Sequence, residues 1–163
     1  MDRKVFKKLK VPESIIWEST ETGWILNNLE ATIQFGMVLN QRLENATLLL
    51  LEGQLGSGKT SLVKGIAKAL EINDPITSPT FSISQHYLSG KRALIHMDLY
   101  RIENHIAANE LFLQEEETAN SIEALMVVEW PSRLNLKLND AWFAKIKYWN
   151  NQKRLIHILS PSF

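Results

Sequence analysis

Residues Ala46-Thr47-Leu48-Leu49-Leu50-Leu51 form a nearly unbroken apolar run. A strand with one wet face alternates apolar and polar residues, so an unbroken run predicts a strand covered on both faces, as in a parallel sheet. After a glycine-rich turn the period changes. Leu62, Val63, Ile66, Ala67 and Leu70 recur at helical spacing, with Lys64 and Lys68 opposite them. This helix is expected to stop before Asn73-Asp74-Pro75. Upstream, Asn27 followed by Glu30 reads as a helix start. Leu29, Ile33, Met37 and Val38 then mark its expected apolar face, up to about Leu43. Residues 15 to 26, with Trp17 and Trp24 around a polar stretch, suit a short edge strand.

The second half alternates in the same way. Pro75-Ile76-Thr77-Ser78-Pro79-Thr80-Phe81 is an extended or turning segment, because each proline disfavours helix at the residue before it. Ser82 to Leu88 reads as a strand, Ser89-Gly90-Lys91 as its turn, and Arg92 to Met97 as another strand ending at Asp98. His105 to about Glu117 is an expected amphipathic helix with Ile106, Leu111 and Phe112 as core positions. Leu125-Met126-Val127-Val128 is a short apolar strand ending at Glu129. Residues 142 to 149 and 154 to 159 flank Asn150-Asn151-Gln152-Lys153, which predicts a hairpin.

Composition narrows the class. At 163 residues, with 45% hydrophobic and 22% charged content, the chain suits one globular domain. Lys plus Arg and Asp plus Glu are both 18, so bulk charge makes no case for nucleic-acid binding. The absence of cysteine excludes a disulfide framework and fits a cytoplasmic protein. No stretch reaches the length of a membrane span, and no secretory signal is expected. The basic start from Arg3 to Lys10 reads as a solvated tail.

The chemistry centres on the turn between the leucine run and the following helix. Gly53-Gln54-Leu55-Gly56-Ser57-Gly58-Lys59-Thr60 fits the phosphate-binding loop G-x-x-x-x-G-K-[ST]. Its glycines let backbone N–H groups face inward around phosphate oxygens, which would lie at the positive end of the helix that follows. The expected binding stretch runs from Gly53 through Ser61, with Lys59 on the β- and γ-phosphates and the Thr60 hydroxyl on Mg²⁺. Such a loop needs an acid to hold the metal or orient the attacking water. Two strand-end carboxylates, Asp98 and Glu129, are candidates, and position alone does not separate their roles. His96 reads as structural, and His86, His105 and His157 lack metal-ligand spacing. The fold expected is α/β: a single P-loop NTPase-like three-layer domain with a mostly parallel central sheet, added antiparallel strands and a C-terminal hairpin. Residues 23–163 are expected to form it, with 1–22 a partly disordered extension.

The loop, Ser78-Pro79-Thr80-Phe81, His96-Met97-Asp98-Leu99-Tyr100-Arg101 and Glu129-Trp130-Pro131 occur in that order. Together they resemble the TsaE family, the bacterial ATPase of tRNA threonylcarbamoyladenosine biosynthesis, from about Asn27 to Arg154. The resemblance implies ATP and ADP as ligands with Mg²⁺. It implies Glu129 as metal ligand, Asp98 as a second essential acid acting through water or on the nucleophile, and Thr80 within a nucleotide-sensing switch. Trp130 is expected near the nucleotide, and Thr32 and Lys153 in regions flanking the base. It further implies partnership with TsaB and TsaD. TsaD transfers the threonylcarbamoyl group to an adenosine beside the anticodon, and ATP hydrolysis by this chain resets that machinery. Contact with tRNA would be indirect, through the complex. The extension up to Thr22 is longer than the family pattern requires, and the Asn104 to Glu123 segment is slightly expanded.

Three other readings are weaker. A GTPase lacks support because the guanine-reading N-K-x-D signature is missing. A small-molecule kinase of P-loop type would carry an arginine-rich lid, whereas Arg92, Arg101, Arg133 and Arg154 are scattered. A nucleotide-dependent binding module with little turnover is the third.

Overall fold

The computed structural model describes residues 4–5, 9–150 and 152–161. The strands are β1 (Lys4–Val5), β2 (Ile15–Glu18), β3 (Gly23–Leu26), β4 (Leu48–Gly53), β5 (Ser84–Tyr87), β6 (Leu94–Asp98), β7 (Leu125–Glu129), β8 (Trp142–Trp149) and β9 (Lys153–Ser160). The helices are α1 (Leu29–Asn40), α2 (Lys59–Ala69) and α3 (His105–Ser121). All the strands share one sheet, in the order β2-β3-β9-β8-β4-β7-β6-β5, with β1 also beside β9. The central members β8, β4, β7 and β6 are parallel, and the outer pairings are antiparallel.

The leucine run occupies the middle of the sheet. Leu49 and Leu51 join the apolar cluster under α1 and α2, while Leu48 and Leu50 join the one under α3. Both faces of β4 are therefore covered, and α/β layering follows from the missing alternation. The five apolar positions expected for α2 are all buried, with Lys64 and Lys68 exposed.

In α1 the buried face is Ala31, Thr32, Phe35, Gly36 and Leu39. The expected face is displaced: Leu29 is 49% exposed and Met37 40%. Two glycines explain the shift. A Cβ on Gly65 would stand 2.0 Å from the Ile33 carbonyl oxygen, and one on Gly36 would stand 2.3 Å from that of Leu62. The backbones of α1 and α2 thus touch, which turns the Gly36 side inward and brings Phe35 and Leu39 with it. Each of those two side chains contributes about 1.5–3 kcal/mol by burial. The helix start also moves by one residue. Asn28, not Asn27, is the cap, accepting from the Ala31 N–H at 2.8 Å, while Asn27 donates to the Ser14 carbonyl.

Residues 15–26 form a β2–β3 hairpin rather than one edge strand. Trp17 and Trp24 face each other across it, ring centroids 5.0 Å apart. In α3, Phe112 is buried and Leu111 half-buried, but Ile106 is 70% exposed, because the helix touches the sheet mainly through Ala108, Phe112 and Ala119. Of the basic start, Lys4–Val5 pairs with β9, and Arg3 and Phe6 to Lys8 lie outside the described residues. Among the described residues no helix is long and apolar enough to cross a membrane.

Candidate nucleotide site

β4 ends at Gly53 and α2 starts at Lys59, so the loop joins the carboxyl end of a central strand to a helix N-terminus. Gly56 and Gly58 have φ of 75° and 107°. Only glycine enters that region without strain. The turn leads into the first turn of α2, and a helix N-terminus leaves N–H groups without intrahelical partners, an arrangement suited to anions.

Lys59 is buried, with only 4% exposure. Its Nζ donates to the Gly53 and Gln54 carbonyls at 2.8 and 3.1 Å. It also lies 4.5 Å from the centre of the Trp130 ring and 4.0 Å from Glu129 Oε2. Burial pulls the ammonium below the ordinary lysine range, while Glu129, Asp98 and Glu52 push it back up.

Asp98 and Glu129 are the last residues of β6 and β7 and pair in register. Both are buried. Glu129 Oε1 accepts from Thr60 Oγ1 at 3.1 Å and meets His96 Nε2 at 2.9 Å. Asp98 Oδ2 accepts from Thr80 Oγ1, and from Ser78 Oγ at 3.3 Å; its Oδ1 accepts from the Tyr100 N–H at 2.9 Å. No group of three His, Cys, Asp or Glu side chains able to hold a metal occurs among the described residues. The available donors are a hydroxyl and carboxylates. Those hard oxygens fit Mg²⁺, which keeps waters and phosphate oxygens among its ligands.

Around this pair the backbone leaves its usual regions. Trp130 sits at φ 60°, ψ 50°, its N–H bonded to the Leu51 carbonyl at 3.1 Å and its ring 4.9 Å from that of Tyr100. Ile83, at the end of the segment carrying Ser78 and Thr80, has φ 67°. A β-branched residue there is a genuine outlier, and such strain gathers at functional sites.

Of the residues the sequence singled out, Leu55, Gly56, Gly58, Lys59, Thr60, Ser61, Thr80, Asp98, Glu129 and Trp130 line one cleft of about 190 Å³. Gly53 and Gln54 line instead a separate hollow of about 590 Å³ with Trp130 and Tyr148, and their carbonyls accept from Lys59. Ser57 is buried, its Oγ 2.7 Å from where a Cβ on Gly53 would lie. Thr32 is buried beneath Gly58, its Cγ2 3.5 Å from that residue's Cβ position. Lys153 is exposed at the start of β9 and is not among the cleft residues. The neighbouring Arg154 comes closer, with Nε 4.0 Å from the same point at Gly58 and its guanidinium over the Tyr148 ring. Tyr148 donates to the Leu55 carbonyl at 3.4 Å, so the hairpin braces the loop. Leu29, which the sequence reading assigned to the core, also lines the cleft. Nothing local marked Tyr148 or Arg154; their signal is the cross-strand register of β8 and β9. A larger hollow of about 410 Å³ opens at the start of β4, beside Thr47, Leu113 and Asp140, but has neither the loop nor the paired acids. Chemistry rather than volume identifies the site.

Comparison with known proteins gives the family. The sequence model of the family described as "Threonylcarbamoyl adenosine biosynthesis protein TsaE" matches residues 26–156. A tRNA threonylcarbamoyladenosine biosynthesis protein TsaE from Synechocystis sp. is 45% identical over 114 residues, 68% of this chain and 71% of that one. Its namesake from Nostoc sp. is 38% identical over 116 residues, 71% of this chain and 72% of its own. Among solved structures, YdiB from Bacillus subtilis superposes with a TM-score of 0.65 at 28% identity, covering 86% of this chain and 85% of its own. On sequence and fold together, the chain belongs to the TsaE family of tRNA threonylcarbamoyladenosine biosynthesis proteins.

Proposed function

We propose that this chain is a Mg²⁺-dependent ATPase that binds ATP and ADP. In this reading it works in the cytoplasm with TsaB and TsaD and resets the transferase that modifies the adenosine beside the anticodon. The observation that carries the reading is the meeting of Lys59, Thr60, Asp98 and Glu129 in one cleft at the carboxyl ends of parallel strands. Loop N–H groups and Lys59 would hold the phosphates. Thr60 and Glu129 would hold Mg²⁺, which would neutralise charge developing on the transferred phosphoryl group. Asp98 would orient the attacking water, and Thr80, bonded to it, would report phosphate occupancy to the 77–83 segment. Trp130 packs on Lys59 and would exclude water from it. Thr32 and Lys153 would lie toward the base.

The kinase alternative draws little support from the arginines. Arg92 bonds backbone carbonyls of Leu43, Glu44, Ala46, Glu123 and Ala124, far from the cleft. Arg133 donates to the Tyr100 carbonyl, and Arg101 lies over the Phe81 ring. An ATPase assay of the chain alone, and with TsaB, TsaD and tRNA, tests the proposal. Low basal turnover that rises strongly with the partners is expected. Turnover indifferent to them, or phosphate transfer to a metabolite, would overturn it.

A further inference from the structure

His96 lies two residues before Asp98 on β6 and shares its face of the sheet, because side chains two apart on a strand point the same way. The imidazole is wholly buried. Nε2 stands 2.9 Å from Glu129 Oε1, and Nδ1 has no partner. An ionised carboxylate only accepts, so Nε2 carries a hydrogen toward Oε1. Burying a ring nitrogen without a partner is unfavourable. An apolar side chain would fill the same space without that cost, so packing alone does not account for a histidine here.

Glu129 Oε1 thus accepts from two donors, and they differ in freedom. Thr60 Oγ1, at 3.1 Å, belongs to the first turn of α2 and borders the cleft, where its hydroxyl can rotate toward a cation. The imidazole is enclosed in the core and cannot turn away. A glutamate carboxylate alone rotates broadly about its last bond. A fixed donor on Oε1 removes that freedom and leaves Oε2 on the Lys59 side, 4.0 Å from Nζ. We infer that His96 is a positioning residue for Glu129: its Nε2–H holds Oε1, aims Oε2 into the cleft, and so sets the affinity for a divalent cation arriving with nucleotide. Partners behind a ligating carboxylate tune metal affinity in this way. The inference rests on the proposed metal-facing role of Glu129.

The test is a Mg²⁺ titration of the full chain with ADP bearing a fluorescent N-methylanthraniloyl group, paired with an ADP titration in EDTA. His96→Leu keeps bulk and removes the donor. His96→Gln carries an amide N–H near the reach of Nε2, whereas His96→Asn reaches only as far as Nδ1. His96→Leu and His96→Asn are expected to raise the Mg²⁺ half-saturation about tenfold while metal-free ADP affinity stays within about twofold; His96→Gln is expected to return within about threefold of the unchanged chain. A folded His96→Leu chain with unchanged Mg²⁺ half-saturation overturns the inference. So does a His96→Gln chain as impaired as His96→Asn, a comparison that stands even if the leucine variant does not fold. Glu129→Ala runs beside them. If it weakens Mg²⁺ response and His96→Leu does not, only this inference falls; if Glu129→Ala itself changes nothing, the metal-facing reading of Glu129 falls first and this one with it.

Discussion

Glu129 and Asp98 end neighbouring strands, face each other in register and are equally buried, yet different structure holds each. The partners of Glu129 come from regular elements: Thr60 and Lys59 from the start of α2, His96 from β6. Those of Asp98 are Ser78 and Thr80, in the irregular stretch between α2 and β5, and the Tyr100 N–H just past β6. That stretch ends at Ile83 in a left-handed conformation. One acid is braced by the framework and the other is tied to a segment outside it. Under the proposed function, this difference in support would match a division of labour. A metal ligand needs fixed geometry, whereas a group that senses phosphate must be linked to something able to rearrange.

Lys59 stands between the halves and offers the largest break. Lys59→Ala is expected to lower ATP turnover by about 10²–10³-fold or more, because in the proposed site it would remove a charge facing the transferred phosphate. Undiminished turnover would show that neither half belongs to the hydrolytic site. The next effect separates the two acids. In a Mg²⁺ titration of nucleotide binding, Glu129→Ala should raise the half-saturation about tenfold or more, and Asp98→Ala distinctly less. The reverse ranking would exchange their roles.

Thr80→Val keeps the shape of the side chain and deletes the hydroxyl bonded to Asp98. Turnover should fall about tenfold with nucleotide affinity little changed, the pattern of a group acting mainly at the hydrolytic step. An equal loss of affinity and no loss of turnover would make Thr80 a ground-state binding residue instead.

The smallest effect concerns pH. Burial lowers the Lys59 pKa, and Glu129 offsets this more than Asp98 does. Lys59 therefore loses its charge at lower pH than a solvated lysine, and metal-free ADP binding should weaken as pH rises through that lowered value. Across the same window the folded chain holds fewer protons than the unfolded one, so this group's contribution to stability increases with pH. Glu129→Gln should move the loss of binding to lower pH further than Asp98→Asn, read from ADP titrations in EDTA at a series of alkaline pH values. Equal displacement would mean that the two carboxylates act on Lys59 alike.

Legibility in the sequence followed the range of the forces involved. The faces of α2 and β4 were readable because each is set by local periodicity and covering layers on known sides. In α1 the apolar stripe of Leu29, Ile33 and Met37 pointed the wrong way. A close crossing at Gly36 and Gly65 outweighed it, and that crossing involves residues far apart in the chain. Ile106 misled for a related reason, since α3 meets the sheet through small residues and one phenylalanine. The loop and both acids were legible by motif and by position at strand ends. His96 was readable only as a structural residue, because its partner is 33 positions away.

The sequence by itself determined the strand–loop–helix unit, the glycine turn of Gly53 to Thr60 and the parallel centre of the sheet. These depend on backbone conformation and short-range spacing, which neighbouring residues dictate. Only the tertiary structure decided which hydroxyls and rings stand behind each acid, how the β8–β9 hairpin braces the loop through Tyr148, and that Arg154 rather than Lys153 approaches Gly58. Those are distances between segments remote in sequence, set by strand register and by how closely two helices can pack.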